Sequence, residues 1–333
     1  MKRNVLILRE KEIRALLDPA ACIQAMERAF AAYATGKAQL PPVINLEVPE
    51  HGGEVHIKTG HLSGGPYYAV KIASGFYGNA ALGLPSSDGM VLVFDAATGA
   101  PAAFLLDNGF ITDLRTAAAG ALAAKYLASK QIRTVAVLGS GAQARYQLQL
   151  LPLVRPFRAA RVWGRKREKA EACAEELRRA DIAGQPAFSV ALSVEEAVRG
   201  ADLVITVTAS REPLLRAEWL APGVTVIAVG SDGPDKQELD VGVLARADRI
   251  VADSLPQCLR LGEIHHAVEQ GAISKEKVGA ELGEVVAGIK TGRTRDEELI
   301  VCDLTGVGVQ DVAAASLVME RALAAGAGEK VPL

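Results

Sequence analysis

The sequence predicts an α/β protein in which a doubly wound parallel sheet is joined to a β-rich α+β domain, and three observations carry that expectation. The stretch Thr134-Val-Ala-Val-Leu-Gly-Ser-Gly-Ala-Gln-Ala144 runs a buried-strand pattern into a glycine turn and then into a helix. Short apolar runs then alternate with helical segments or long connections, at Thr134 to Leu138, Ala160 to Gly164, Leu203 to Thr208, Thr225 to Val229 and Arg249 to Ala252. Before that turn, strand-like segments punctuated by Gly and Pro dominate from Val43 to Leu106. With 333 residues, half of them apolar, the chain is long enough for two such domains.

Taken in order, Val5 to Leu8 reads as a short strand. Asp18-Pro19 opens a helix, Asp18 as cap and Pro19 in the first helical position, with Ile23, Met26, Ala29, Phe30 and Tyr33 on one face and Gly36 ending it. Strands follow at Val43 to Val48, Glu54 to Thr59, Tyr67 to Ala73, Met90 to Asp95 and Ala100 to Leu106, the last two joined by a hairpin turn. A long helix rich in Ala and Gly starts at Thr112 or Asp113, and its small residues let something pack very close. The pattern changes at Ser129-Lys130-Gln131, so 129–308 is read as the Rossmann-type dinucleotide domain. The β-rich domain is then 1–128 with 309–333, because a last helix, Val309 to Ala325, follows the strand-like run Leu299 to Leu304 and is free to return to it. The cleft between the two is the expected site.

Composition excludes several classes. A net charge of -2 gives no general attraction to nucleic acid or to an anionic membrane. No stretch approaches a membrane span, and Met-Lys-Arg-Asn-Val-Leu-Ile-Leu-Arg at the N-terminus lacks a signal-peptide core, so the cytoplasm is expected. The four cysteines are far apart and read as buried small hydrophobes in a reducing compartment. His51, His56 and His61 alternate faces if they lie in a strand, so no metal site is expected. His265-His266, in a polar helical run, reads as surface.

Gly139, Ser140, Gly141, Ala142 and Gln143 form the turn that receives a dinucleotide pyrophosphate on the N–H groups of the next helix, with Ala144 as the third small residue. Where an acid usually binds the ribose of NAD, at the end of the second strand, this chain has Gly164-Arg165-Lys166-Arg167. Arg165 backed by Lys166 suits a 2′-phosphate, so NADP(H) is favoured and NAD(H) remains possible; the other reading of this run is a solvated helix start. Thr208, at the carboxyl end of another strand, is either a cofactor contact or a turn cap.

Three residues outside the turn point to chemistry. Arg115 falls in the first turn of its expected helix, where guanidinium and helix end could share a carboxylate. Lys71, between Val70 and Ile72, either snorkels outward or points into a cleft; for both cations the alternative is a structural ion pair. Asp232 follows Val226-Ile-Ala-Val-Gly-Ser at a strand end and reads as the general acid/base, its pKa raised by a partly dry cleft, or else as a turn cap.

Together with Val70-Lys-Ile-Ala-Ser-Gly-Phe76, Leu84-Pro-Ser-Ser-Asp-Gly-Met90, Thr112-Asp-Leu-Arg-Thr-Ala-Ala-Ala119, Leu138-Gly-Ser-Gly-Ala-Gln143, Val229-Gly-Ser-Asp232, Lys236-Gln-Glu-Leu239 and Thr305-Gly-Val-Gly308 with Asp311, these residues resemble the ornithine cyclodeaminase/mu-crystallin family along nearly the whole chain. The resemblance implies NAD(P)-dependent hydride chemistry at the α-carbon of a small imino or amino acid, and a homodimer formed through the β-rich domain. It also implies that Lys71 helps polarise the imine, that Lys236 meets the far end of the substrate, and that Val229 and Gly306 join the cofactor contacts. Ornithine-specific members carry an arginine in the early β-region; this chain has none between Arg28 and Arg115, and Lys58 is the available replacement. That departure, with the Pro-Pro-Val-Ile, Pro-Glu-His-Gly-Gly-Glu-Val and Leu-Leu-Asp-Asn-Gly segments, resembles the branch of ectoine breakdown and imino acid (iminosuccinate-type) reduction. The alternatives are a cyclodeaminase that recycles its NAD, and an NADP-holding binding protein with little catalysis.

Overall fold

A computed structural model describes residues 4–333, Ala80 by its backbone alone. Met1, Lys2 and Arg3 of the strand-like N-terminal run lie outside the described residues. Contacts divide the chain into two compact units, one running up to Arg115 and completed by Val307–Leu333, the other Thr116–Gly306. The division thus falls inside the helix Phe110–Leu127 rather than at Ser129. The reason lies in the small residues of that helix: a Cβ on Gly120 would meet the Gln147 side chain at 2.1 Å, so the helix body is packed into the second unit.

The first unit holds β1 (Asn4–Arg9), β2 (Ala38–Gln39), β3 (Ile44–Val48), β4 (Gly53–Leu62), β5 (Tyr67–Phe76), β6 (Ser87–Asp95) and β7 (Pro101–Leu106). Most run a few residues beyond the expected strands, because ladder pairing continues through Gly and Ser positions that carry little sequence signal. With the C-terminal strand Glu329–Pro332 they form one sheet, in the order C-terminal strand, β1, β7, β6, β5, β4, β2, and β3 pairs with β4. Pairing is antiparallel except between β1 and β7. The β6–β7 turn is held by Asp95, whose Oδ1 accepts from Ala97 N and Thr98 N at 3.0 and 2.8 Å. The helix Pro19–Ala34 starts where Asp18 Oδ1 accepts from Ala21 N at 2.8 Å, and it buries Ile23, Met26 and Phe30, each worth about 1.5–3 kcal/mol.

The last helix, Gly308–Ala325, packs against β4 and β5. Gly308 makes this approach possible, since a Cβ there would lie 2.3 Å from the Thr59 carbonyl oxygen. The first turn of the helix is therefore laid on β4.

The second unit contains β8 (Thr134–Leu138), β9 (Ala159–Trp163), β10 (Ala187–Val190), β11 (Leu203–Thr206), β12 (Thr225–Ala228), β13 (Arg249–Ala252), β14 (Val278–Glu281) and β15 (Ile300–Asp303); the C-terminal strand is β16. All pair in parallel, in the order β10-β9-β8-β11-β12-β15-β13-β14. The order reverses between β8 and β11, which is the switch point where such sheets bind ligands beyond their carboxyl ends. Two strands, β10 and β14, escape the sequence reading because Ala187-Phe-Ser-Val190 and Val278-Gly-Ala-Glu281 carry too short an apolar run. All four cysteines are free and buried, as expected. No helix among the described residues is long and apolar enough to cross a membrane.

Candidate active site

The β4–β5 register sets Lys58 directly opposite Lys71, and like charges in that position repel. Asp311, from the helix turn laid on β4, answers them. Its Oδ1 lies 3.1 Å from Lys71 Nζ and accepts from Arg115 Nε at 2.9 Å, while Arg115 Nη1 donates to Gln310 Oε1 at 3.0 Å. Lys58, Lys71, Arg115 and Asp311 are between 1% and 5% exposed. Burial first, and then the Arg115 charge, lowers the Lys71 ammonium to about 7, with Asp311 opposing. Burial alone would lift Asp311, but Arg115, Lys71 and Lys58 outweigh it and hold the carboxyl below its ordinary range. Asp311 Oδ2 has no hydrogen-bond partner. Three cations therefore face one carboxylate in a dry place, an arrangement suited to holding an anion.

Two expectations change here. Arg115 is in the second turn of its helix and away from the helix end, because the helix begins at Phe110. Asp107 causes the earlier start: its Oδ2 accepts from Ile111 N at 2.7 Å, and burial pushes its carboxyl up to about 6. Lys71 does not snorkel; it and Arg115 are engaged in the ion pair that the sequence offered only as an alternative. The partners themselves, Asp311 and Gln310, carry no role in the sequence reading. The signal was a Gln-Asp pair in the otherwise apolar helix start Val309-Gln-Asp-Val-Ala-Ala-Ala315.

In the second unit, Gly139 has φ of 133° and a Cβ there would meet Val207 at 2.7 Å, so the turn between β8 and its helix requires glycine. The helix Ala142–Leu150 has Gly141 as N-cap with no side-chain cap, and the space beside Gly141 is open. Ala144 is fully buried, as its packing role needs. A helix start at a glycine turn, with open space beside Gly141, fits a dinucleotide pyrophosphate. Ser140 lies against Gly164, and Gln143 reaches Gln147 at 3.4 Å. Arg165 and Lys166 follow β9 and are exposed.

Other expected contacts have hydrogen-bond partners within the fold. Thr208 Oγ1 accepts from Ser210 N at 3.2 Å, which is the turn-capping reading, while its own N–H goes to Glu238. Val229 is 7% exposed and its N–H belongs to Thr206 O. Gly306 donates its N–H to Asp253 Oδ2 at 2.7 Å, and its carbonyl accepts from Gln257 at 3.0 Å, so its backbone is committed to the fold. Asp232 lies on the loop after β12 with a side chain 41% exposed, and it accepts from Lys236 Nζ at 2.7 Å. The side chain is thus less dry than expected, and Lys236 is bound to Asp232 itself. His265 is 4% exposed rather than on the surface, its Nδ1 satisfied by Gly262 O at 2.7 Å.

A family model, the ornithine cyclodeaminase/mu-crystallin family, matches residues 3–326. The chain belongs to that family. Within the ornithine cyclodeaminase/mu-crystallin family it is 47% identical, over 97% of both chains, to a protein of Sinorhizobium fredii described as an uncharacterized cyclodeaminase, y4tK. It is similar to the structure of an archaeal alanine dehydrogenase dimer with bound NAD, at 38% identity, TM-score 0.91 and 99% of each chain. It is also similar to the Thermococcus litoralis Delta(1)-pyrroline-2-carboxylate reductase in complex with NADH and L-proline, at 33% identity and TM-score 0.93, over 98% of this chain and 100% of that one.

Proposed function

We propose that this chain, a nicotinamide-dependent oxidoreductase of its family, interconverts a small α-imino acid and the corresponding α-amino acid. The observation that carries the reading is the buried Lys58, Lys71, Arg115 and Asp311 cluster, a preformed carboxylate site, in a chain that also has a glycine turn with open space beside Gly141. Its relatives act on alanine and on a cyclic imine of proline, both α-carboxylates. Bound nicotinamide would exchange a hydride with the α-carbon. Lys71 and Arg115 hold the carboxylate, and Lys71, whose ammonium titrates at about 7, supplies positive charge beside the imine. Asp232 gives one proton to the nitrogen during reduction and takes it back during oxidation. Lys58 and Lys236 are assigned to the substrate's far end, with Lys236 exchanging its Asp232 contact for that role.

The test is a panel of imino acids formed in situ from keto acids with ammonia or methylamine, assayed with NADH and with NADPH. Net oxidation of the cofactor supports the reading, whereas ammonia release from ornithine without net cofactor change favours cyclodeamination. Arg115→Ala is expected to lower kcat/KM by about 1.5–3 kcal/mol, roughly 10- to 150-fold, if its charged hydrogen bond is made in the transition state; an unchanged kcat/KM sinks the assignment.

For the cofactor, exposed Arg165 and Lys166 support NADP(H), although the relatives above hold NAD and NADH. Arg165→Ala is expected to raise KM for NADPH about tenfold and leave that for NADH nearly unchanged. A tenfold preference of the unaltered protein for NADH overturns this choice. A homodimer through the β-rich unit is supported by Ile44 and Leu46 on β3, 60% and 56% exposed. Light scattering is expected to give about twice the chain mass of 34.9 kDa, and Leu46→Asp to lower it toward one chain.

A further inference from the structure

We propose that Glu238 is a positioning residue for proton transfer: its carboxylate ties the loop that carries Asp232 to the ends of β11 and β12. The proposal rests on the reading of Asp232 given above. Glu238 is fully buried. Its Oε2 accepts from Thr206 Oγ1 at 2.6 Å and from Gly230 N at 2.8 Å, and its Oε1 accepts from Thr208 N at 2.5 Å. Thr206 ends β11 with Thr208 two residues beyond it, and Gly230 stands two residues beyond β12. The Gly230–Glu238 bond therefore closes the whole loop containing Asp232 and Lys236 on itself, and the Thr206 and Thr208 bonds fasten that closure to the neighbouring strand. The fit is tight, since a Cβ on Gly230 would lie 2.7 Å from the Glu238 carboxyl carbon.

The same loop is suspended from a second carboxylate. Glu238 N and Leu239 N donate to Glu263 at 2.8 and 3.0 Å, and Glu263 N and Ile264 N in turn donate to Asp303 Oδ2, each at 2.9 Å. Burying several acids close together is expensive, and burial pushes Glu238 up to about 7. A carboxylate nevertheless has a property that no amide offers: acceptors on both oxygens and no donor. These donors converge on Glu238, and glutamine would turn an N–H toward one of them.

Asp232 needs such support. It is on an irregular loop with a side chain 41% exposed, and loop-borne groups are held less sharply than those on strands or helices. Near it, Ser231 Oγ donates to Lys236 O, and His266 Nε2 lies 2.9 Å from that same oxygen, so the loop's interior is also pinned. Glu238 fixes its base.

The experiment compares Glu238→Gln, Asp232→Asn and the double variant, at saturating cofactor with the best substrate of the imino acid panel. Glu238→Gln is expected to lower kcat at least tenfold with substrate KM within threefold, and hydrogen exchange of the Thr208 and Gly230 amides is expected to quicken. If Glu238 acts through Asp232, the double variant is no slower than Asp232→Asn by more than about threefold. Multiplying losses overturn the proposal, as does a normal kcat for Glu238→Gln beside a crippled Asp232→Asn. A normal kcat for Asp232→Asn overturns the reading of Asp232 and the proposal with it. Should Glu238→Gln not fold, Thr206→Val removes one of those donors; a lowered kcat at constant KM supports the proposal and an unchanged kcat overturns it.

Discussion

Asp232→Asn is expected to lower kcat by about 10²- to 10⁴-fold, the range that a positioned general acid/base contributes, while cofactor affinity stays within about twofold. Asparagine keeps the size of the side chain and can still accept from Lys236 Nζ, which Asp232 does at 2.7 Å, so the loop keeps its internal bond. What disappears is the capacity to carry a proton. Steady-state kinetics in both directions, with cofactor affinity from nicotinamide fluorescence, separate the two quantities. A kcat within twofold of the unaltered protein would assign the proton elsewhere. The next candidate is Lys71, whose ammonium is brought down to about 7 by burial and by Arg115. In that event Lys71→Met, and not Asp232→Asn, abolishes the neutral limb of the pH–rate profile.

The second large effect is on stability. Asp311→Asn is expected to cost about 3–5 kcal/mol in urea unfolding, because it leaves Lys71 and Arg115, 2% and 4% exposed, without their shared counter-charge. The neutral amide can still accept from Arg115 Nε, so a smaller loss would mean that the hydrogen bond outweighs the charge. The variant also acts on pH dependence. In the folded chain Lys71 titrates at about 7, against an ordinary 10.5. Between those values the unfolded chain binds one proton more, so stability rises with pH across the window, by up to about 1.4 kcal/mol per unit from this group alone. Buried thiols such as Cys22, pushed up to about 12 by burial, work in the opposite sense above about 9. The comparison therefore belongs between about pH 7.5 and 8.5, as the difference in slope between the unaltered chain and Lys71→Met. Equal slopes would rule out a titrating Lys71. In Asp311→Asn the rise begins at lower pH, since Asp311 is the group that holds the Lys71 proton on.

The fold was legible where periodicity is local. Gly139 to Ala144, Asp18 as a helix cap and the strands on either side of the Asp95 turn rest on neighbours within a few residues, and the structure has them close to where the sequence places them. The strands β10 and β14 were not legible, because a sheet edge needs fewer apolar residues than its centre. The candidate site divides in the same way. Lys58, Lys71 and Arg115 stand out as cations in apolar surroundings, but nothing local says that one carboxylate, separated from Arg115 by 196 positions, joins two of them. Asp232 was read as a dry acid because a strand end suggests a cleft; its exposure depends on a loop conformation that turn-forming residues alone do not determine. Glu238 was invisible for a related reason, since its donors come from two strand ends that only the parallel register brings together.

Asp311's position in the chain has a consequence for biosynthesis. Lys58, Lys71 and Arg115 leave the ribosome early, and the residue that neutralises them follows Arg115 by 196 positions. At about 5–20 residues per second, that interval lasts on the order of 10–40 s. During it the nascent β-rich unit has neither its last helix nor its buried counter-charge, while the whole of the second unit emerges and can fold. The cations must stay hydrated until Gly308–Ala325 arrives, so docking of that helix is expected to be the late event of folding, and chains that stall before Asp311 become substrates for chaperones and proteases.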